Sequence, residues 1–165
     1  MADINQLIEI RWHGRGGQGA VTSAELVAKA AINEGKYAQA FPSFGPERRG
    51  APVLAFVRIS SEQPIRVRAE IAQPDVVVVL ERPAQDIESE LGAKWRLAII
   101  DATKIARELL GVPITNTTMV GALIKATGAV KLESLLEPLK QRFGHLAEKN
   151  INAMKRAYEE TSIKE

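Results

Sequence analysis

The sequence contains no cysteine in its 165 residues. This absence excludes disulfides, thiol catalysis, thiolate ligation of iron–sulfur clusters and the common structural zinc sites. Any electron-carrying cluster would have to lie on another chain. Histidine is scarce as well, and a metal site built on His13 or His145 would need carboxylates to complete it. We therefore expect no metal site in this chain, and we predict none of its residues to be catalytic.

Long apolar runs and a strong excess of one charge are also missing. No segment approaches the roughly 18 apolar residues of a membrane-spanning helix, and the N-terminus lacks the pattern of a signal peptide. Lys and Arg number 22 against 20 for Asp and Glu, so the net charge of +2 creates little long-range field. We expect a cytoplasmic protein without membrane or nucleic-acid partners. Its length and 45% hydrophobic content predict a single α/β domain over residues 1–165.

A glycine-rich turn follows the first predicted strand. Alternating Ile8, Ile10 and Trp12 predict that strand, and helical spacing over residues 22–33 predicts a helix after the turn. Glycines there permit a tight turn and bring backbone N–H groups toward an anion, while the helix N-terminus adds partial positive charge. The turn therefore predicts a phosphate site. The alternative is a turn that uses glycine only to pack the strand against the helix.

The acidic residue that binds the ribose in NAD-binding folds is missing here. Such folds carry Asp or Glu about 20 residues after the glycines, at the end of the second strand. In this chain the predicted second strand, residues 37–41, leads into a loop that contains Arg48 and Arg49. This loop could bind a phosphate through charge-assisted hydrogen bonds or reach a neighbouring subunit. The structural alternative is that its arginines pair with Glu47 or other nearby carboxylates.

Two further residues are candidates for ligand contact. Asn116 precedes a predicted helix, where it could face a ligand at the carboxyl ends of the strands or act as a plain N-cap. His13 could bind phosphate or hydrogen-bond a backbone carbonyl. The predicted cofactor-binding set is Gly14, Arg15, Gly16, Gly17, Gln18, Gly19, Arg48, Arg49 and Asn116.

Strand and helix patterns alternate through most of the chain. Alternation at residues 52–60 and 64–68 predicts an antiparallel hairpin. The β-branched run at residues 76–80 predicts the centre of the sheet. Further strands and helices are predicted at residues 84–91 (helix), 96–100 (strand), 103–110, 119–126, 132–143 and 146–160 (helices). The predicted fold is α/β, with an open, mostly parallel Rossmann-like sheet, a β-hairpin insertion and a helical C-terminus.

Four segments carry a resemblance to a known family. They are residues 12–19 (WHGRGGQG), residues 41–52 (FPSFGPERRGAP), residues 101–106 (DATKIA), and Asn116 with residues 119–122 (MVGA). In this order they make the chain similar, nearly end to end, to the gamma subunit of the 2-oxoacid:ferredoxin oxidoreductases, in particular the pyruvate enzyme, pyruvate synthase. Residues 45–50 are more similar to the pyruvate and branched-chain-oxoacid enzymes than to the 2-oxoglutarate enzymes.

The resemblance implies a multi-subunit enzyme that decarboxylates a 2-oxoacid on thiamine diphosphate. Electrons would pass through iron–sulfur clusters to ferredoxin, and the acyl group would pass to coenzyme A. This chain would assist assembly and contribute to coenzyme A binding. Thiamine diphosphate, Mg²⁺ and the clusters would lie on partner subunits of the alpha, beta and delta types. A stand-alone nucleotide-binding Rossmann-like oxidoreductase domain is the alternative, and a scaffold without ligand is a third hypothesis.

One departure from the family pattern follows residue 80. Family members usually place a further strand and turn of roughly twenty residues, about one β-α unit, before the segment that matches residues 87–91. This chain runs almost directly from one to the other. Either that strand has been lost or the sheet is truncated here, and its absence would leave an edge or a gap that needs cover, so the sequence does not define the strand order after Leu80.

Overall fold

The computed structural model describes residues 7–43, 50–80 and 96–164. Within these ranges the elements are β1 Ile8–Arg15, α1 Ala20–Asn33, β2 Tyr37–Pro42, β3 Pro52–Ser60, β4 Val76–Val79, β5 Leu97–Ile99, α2 Ala102–Leu110, α3 Asn116–Thr127, α4 Leu136–Phe143, α5 Ala147–Glu160 and β6 Ser162–Lys164. Short 3-10 helices at Leu132–Leu135 and Gly144–Leu146 precede α4 and α5. None of the helices in the described ranges is long and apolar enough to cross a membrane.

The main sheet has the strand order β2-β3-β1-β4 and is mixed. β1 and β4 run parallel, as expected for a β-α-β fold, whereas β3 runs antiparallel to both β1 and β2. β1 is therefore an interior strand, and its alternation buries Ile10 and Trp12 completely against the helices. The prediction that residues 76–80 form the centre of the sheet is wrong for the described strands, because β4 stands at the end of their order.

The predicted hairpin forms only in its first arm. Residues 52–60 are β3, but residues 64–68 adopt no strand. The physical reason is that β3 already pairs along both of its edges, with β1 and with β2. The segment after β3 is instead tied to the sheet face opposite the helices, where Arg58 donates to Val67 O (3.4 Å) and Arg11 to Ile71 O (3.4 Å).

The helices cover the other face of the sheet and enclose the main core. That core joins β1, β3 and α1 to α3, α4 and α5. α3 and α5 approach so closely that a Cβ atom on Gly121 would lie 2.1 Å from the carbonyl oxygen of Met154. Any larger residue at this position would force the two helix backbones apart.

Most of the predicted helices are confirmed. α1 begins at Ala20 and is followed by Gly35, whose positive φ of 80° suits a helix end. α2 and β5 match their predictions, and the C-terminal helices are present with 3-10 turns at their starts. β6, which pairs antiparallel with β5, was missed because three residues carry no periodic signal. The helix predicted at residues 84–91 lies outside the described residues.

Hydrogen bonds from an ion pair at the end of α1 link this helix to the segment after α3. Lys36 Nζ lies 2.8 Å from Glu34 Oε2 and donates to Ala129 O at 2.8 Å. The backbone N–H of Lys131 donates to Glu34 Oε1. Burial raises the pKa of Glu34, but the hydrogen bonds from Lys36, Lys131 and Ser134 outweigh it, so that the pKa lies below its ordinary value.

Candidate functional site

The glycine turn joins the end of β1 to the start of α1, as predicted. Two hydrogen bonds between Gln18 and Arg15 close this turn. The backbone N–H of Gln18 donates to Arg15 O (3.0 Å), and its side-chain Oε1 accepts from the Arg15 backbone N–H (2.7 Å). The structure therefore gives Gln18 a role in shaping the turn.

The glycines of the turn serve different physical needs. Gly17 and Gly19 have φ values of 92° and 82°, in the left-handed region that favours glycine. A Cβ atom on Gly19 would lie 2.6 Å from Asn116 Nδ2, and one on Gly14 would lie 3.2 Å from both Gln18 Oε1 and Leu80 Cδ1. Packing thus explains Gly14, backbone conformation explains Gly17, and both explain Gly19.

No side chain among the described residues caps the N-terminus of α1. Its N-cap is Gly19, and the first helical hydrogen bond runs from Ser23 N–H to Gly19 O (2.9 Å). By helix geometry, the amides of Ala20, Val21 and Thr22 have no acceptor within the helix. The first turn also contains no acidic residue. These features leave partial positive charge at the helix end, which favours an anion.

An open cleft lies directly at this helix end. Its volume is about 290 Å³, and the described residues that line it include Arg15, Gly16, Gly17, Ala20, Val21, Thr22 and Val53. Arg15 is the charged side chain among the described lining residues. The arrangement can therefore bind an anionic group through helix amides and one guanidinium.

The cleft is next to the end of the predicted basic loop. Gly16 N–H donates to Ala51 O (2.9 Å), and Gly50 N–H donates to Gly16 O (3.3 Å). Arg15 Nη1 also donates to Gly50 O (3.1 Å). The structure thus brings the glycine turn and the C-terminal end of the loop together. Arg48 and Arg49 lie outside the described residues, so their placement stays a prediction.

Asn116 lies behind the turn, although it is distant in sequence. Its side chain is 6% exposed, packs against Gly19, and accepts a hydrogen bond at Oδ1 from Thr117 N–H (2.8 Å). α3 begins three residues before the predicted helix, with Thr115 rather than Asn116 at the N-cap. Thr117 Oγ1 donates to Asn150 Oδ1 (2.9 Å), which links the start of α3 to α5. Asn116 therefore adjoins the site by packing against Gly19, and it supports the turn from within the core.

His13 is directed to the sheet face opposite the helices. Its Nε2 accepts a hydrogen bond from Arg11 Nε at 3.0 Å. The sequence missed the contributions of Thr22 and Val53 to the cleft. Thr22 was recognisable as a first-turn residue after the glycines, whereas Val53 reaches the cleft only because β3 pairs with β1.

Known proteins share both the sequence and the fold. The family profile described as pyruvate ferredoxin/flavodoxin oxidoreductase matches residues 9–93 and 81–160. The chain is 50% identical over 183 residues to the pyruvate/ketoisovalerate oxidoreductases common subunit gamma of Pyrococcus furiosus, with 95% of this chain and 98% of that protein covered. The alignment is longer than the 165 residues of this chain, in agreement with a shortened sequence.

A second relative and a crystal structure give the same result. The chain is 48% identical over 173 residues to the pyruvate synthase subunit PorC of Methanothermobacter thermautotrophicus, with 93% and 96% of the two chains covered. The crystal structure of pyruvate oxidoreductase subunit PORC from Thermotoga maritima is 34% identical, with a TM-score of 0.85 and 97% and 99% of the two chains covered.

Proposed function

The chain belongs to the pyruvate ferredoxin/flavodoxin oxidoreductase family as a gamma subunit of a 2-oxoacid:ferredoxin oxidoreductase, and from this premise we propose that its glycine turn binds a phosphate group of coenzyme A. In the proposed reaction, a 2-oxoacid, coenzyme A and oxidised ferredoxin yield acyl-CoA, carbon dioxide and reduced ferredoxin. Pyruvate is the proposed 2-oxoacid, since the relatives' names include it. The hypothesis of a stand-alone nucleotide-binding oxidoreductase is not favoured by these relatives.

The observation that carries this proposal is the N-terminus of α1, which no described side chain caps. Coenzyme A bears three phosphate groups, and Ala20, Val21 and Thr22, whose amides have no acceptor within the helix, line the cleft. Arg15 stands at the rim of the same cleft and would add a charge-assisted hydrogen bond. Arg48 and Arg49 belong to the same proposed phosphate-binding set, because the loop that carries them ends at Gly50, against the turn.

We assign the remaining cofactors of the complex to partner subunits. A chain without cysteine offers no thiolate for an iron–sulfur cluster. Thiamine diphosphate, Mg²⁺ and the clusters are therefore proposed to lie on alpha, beta and delta-type subunits, with ferredoxin as the external electron acceptor. We further propose that residues 1–165 form one α/β domain in the cytoplasm. The single large core that joins the sheet to α3, α4 and α5 supports one domain.

The test uses Arg15→Ala in the reconstituted complex, with exposed Arg107 on α2 changed to Ala as the matched control. Charge-assisted hydrogen bonds contribute about 1.5–3 kcal/mol, so the KM for coenzyme A should rise on the order of tenfold or more. Decarboxylation of the 2-oxoacid, measured by carbon dioxide exchange, should change little.

A ligand-free scaffold predicts another pattern for the same variant. There, Arg15→Ala would loosen assembly and lower every partial reaction to the same extent. Unchanged coenzyme A kinetics in a fully assembled Arg15→Ala complex would remove Arg15 from the binding site.

A further inference from the structure

β2 is the terminal strand of the main sheet among the described strands. Such an edge presents backbone N–H and C=O groups that can pair with another chain, and proteins commonly protect it with charged side chains. β2 has no charged residue, since its sequence is Tyr37, Ala38, Gln39, Ala40, Phe41 and Pro42. The edge is therefore suited to pairing with another neutral strand.

The hydrogen-bond pattern shows which residues point outward. Ser43 N–H donates to Leu54 O (2.8 Å), in the same register that pairs Phe41 with Phe56. Backbone groups alternate between the two edges of a strand, so odd-numbered residues of β2 bond to β3. Ala38 and Ala40 consequently direct their N–H and C=O groups away from the sheet. Pro42 has the same parity, and its missing N–H falls on the outer edge, where proline is tolerated.

We propose that two copies of this chain pair through β2, antiparallel and around a two-fold axis at Gln39. In this register Ala38 of one copy exchanges both backbone hydrogen bonds with Ala40 of the second copy. Ala40 of the first copy does the same with Ala38 of the second. All outward groups of Ala38 and Ala40 are then satisfied. The interface is isologous, as in most homodimers.

Neighbouring registers leave hydrogen bonds unmade. A two-fold axis at Ala38 would require the backbone N–H of Lys36, which already donates to Ala31 O at 3.0 Å. An axis at Ala40 would require an N–H from Pro42, which has none. The ends of β2 therefore select the register centred on Gln39.

Side chains of β2 also suit this register. Tyr37 of one copy would stand opposite Phe41 of the second copy, on the sheet face away from the helices. Tyr37 is 45% exposed, and Phe41 already packs on Phe56 with ring centroids 5.2 Å apart. Cross-strand aromatic pairs stabilise sheets.

Disulfide trapping tests the register directly, because a single thiol introduced into this cysteine-free chain has no competitor. Across the axis, a non-hydrogen-bonded pair has Cα atoms about 4.5 Å apart, within the range that a disulfide spans. Gln39→Cys should therefore cross-link readily under mild oxidation. Tyr37→Cys is the control, since its two thiols would be four residues out of register, roughly 14 Å apart. We expect Gln39→Cys to form covalent dimer about tenfold faster than Tyr37→Cys.

Sedimentation of the full chain provides an independent measurement. The wild type should show a concentration-dependent equilibrium of monomer and dimer. Ala40→Pro removes two of the four proposed intermolecular hydrogen bonds and none of the β2–β3 ladder, so it should weaken dimerisation about tenfold while the melting temperature stays close to wild type.

Three results would overturn the proposal. The first is equal cross-linking of the two thiol variants. The second is a wild-type chain that stays monomeric at every concentration. The third is protection of the β2 amides from hydrogen exchange only when other subunits of the complex are added, which would assign this edge to a different chain. If Ala40→Pro fails to fold, the two cysteine variants still decide the question.

Discussion

Replacing Gly19 by alanine should destabilise the protein through two separate effects. The residue has φ 82° and ψ 26°, and a non-glycine residue in this left-handed conformation costs about 1–2 kcal/mol. The added Cβ atom would lie 2.6 Å from Asn116 Nδ2 and 2.9 Å from Asn116 Cβ. Since Asn116 is buried, relieving this contact costs a further amount of about 1–3 kcal/mol. We expect Gly19→Ala to lower the free energy of unfolding by about 2–5 kcal/mol.

Two further variants separate the conformational effect from the steric one. Gly17 has a similar φ of 92°, but its Cβ would meet no described atom within 4 Å, so Gly17→Ala should cost only about 1–2 kcal/mol. Asn116→Ala removes the side-chain amide, which makes the shortest contact, together with its hydrogen bond to Thr117 N–H, and keeps the Cβ atom. In the double variant the contacts with Nδ2 and Cγ disappear while the 2.9 Å contact with the Cβ of residue 116 remains, so the combined effect should be smaller than the sum of the single effects by about 1 kcal/mol.

Urea denaturation of the full chain measures these differences. With m near 2–3 kcal/mol/M, a loss of about 3 kcal/mol shifts the midpoint by roughly 1 M at constant m. The reasoning is refuted if Gly17→Ala is as destabilising as Gly19→Ala, or if the effects of Gly19→Ala and Asn116→Ala simply add.

Three other predictions follow from the same structure. Gly121→Ala should destabilise the fold by about 2–4 kcal/mol, since its Cβ would lie 2.1 Å from the Met154 carbonyl oxygen, and thermal unfolding would contradict this if the variant melted like wild type. Hydrogen bonds from Lys36 and Lys131 lower the pKa of Glu34 despite its burial. The carboxylate therefore stabilises the fold at pH values above its ordinary pKa, and this stabilisation is lost as the pH falls through the lowered pKa. Glu34→Gln should therefore flatten the acid side of the stability profile, and an unchanged profile would contradict the assignment. The purified chain alone should neither reduce a ferredoxin surrogate with pyruvate nor show a visible chromophore, and turnover by this subunit by itself would refute the division of roles between subunits.

Patterns of residues that are neighbours along the chain were sufficient to predict the glycine turn and the strand and helix on either side of it. Strand alternation was visible up to Trp12, glycines followed from Gly14, and helical spacing came next, so the order of β1, turn and α1 could be predicted from neighbouring residues. The same holds for α2, which starts after the N-cap Asp101 and ends before Gly111. The resemblance to the gamma subunits also rested on local segments, because each motif is contiguous.

Patterns of neighbouring residues could not predict which strands pair with each other. Residues 64–68 alternate as a strand does, yet alternation cannot tell whether an edge is available for them. β3 enters between β1 and β2 and occupies the edges that the hairpin would have needed. For the same reason the β-branched run of β4 indicated a strand correctly but its position in the sheet wrongly.

What the sequence by itself determined is therefore the identity of each long element, the glycine turn and the family, since all three depend on residues close together along the chain. Only the tertiary structure decided that Asn116 packs against Gly19 across 97 positions, that Val53 lines the cleft, and that Gly50 bonds to Gly16. These contacts depend on which strands and helices meet, and that choice is made by burial and hydrogen bonding over the whole core.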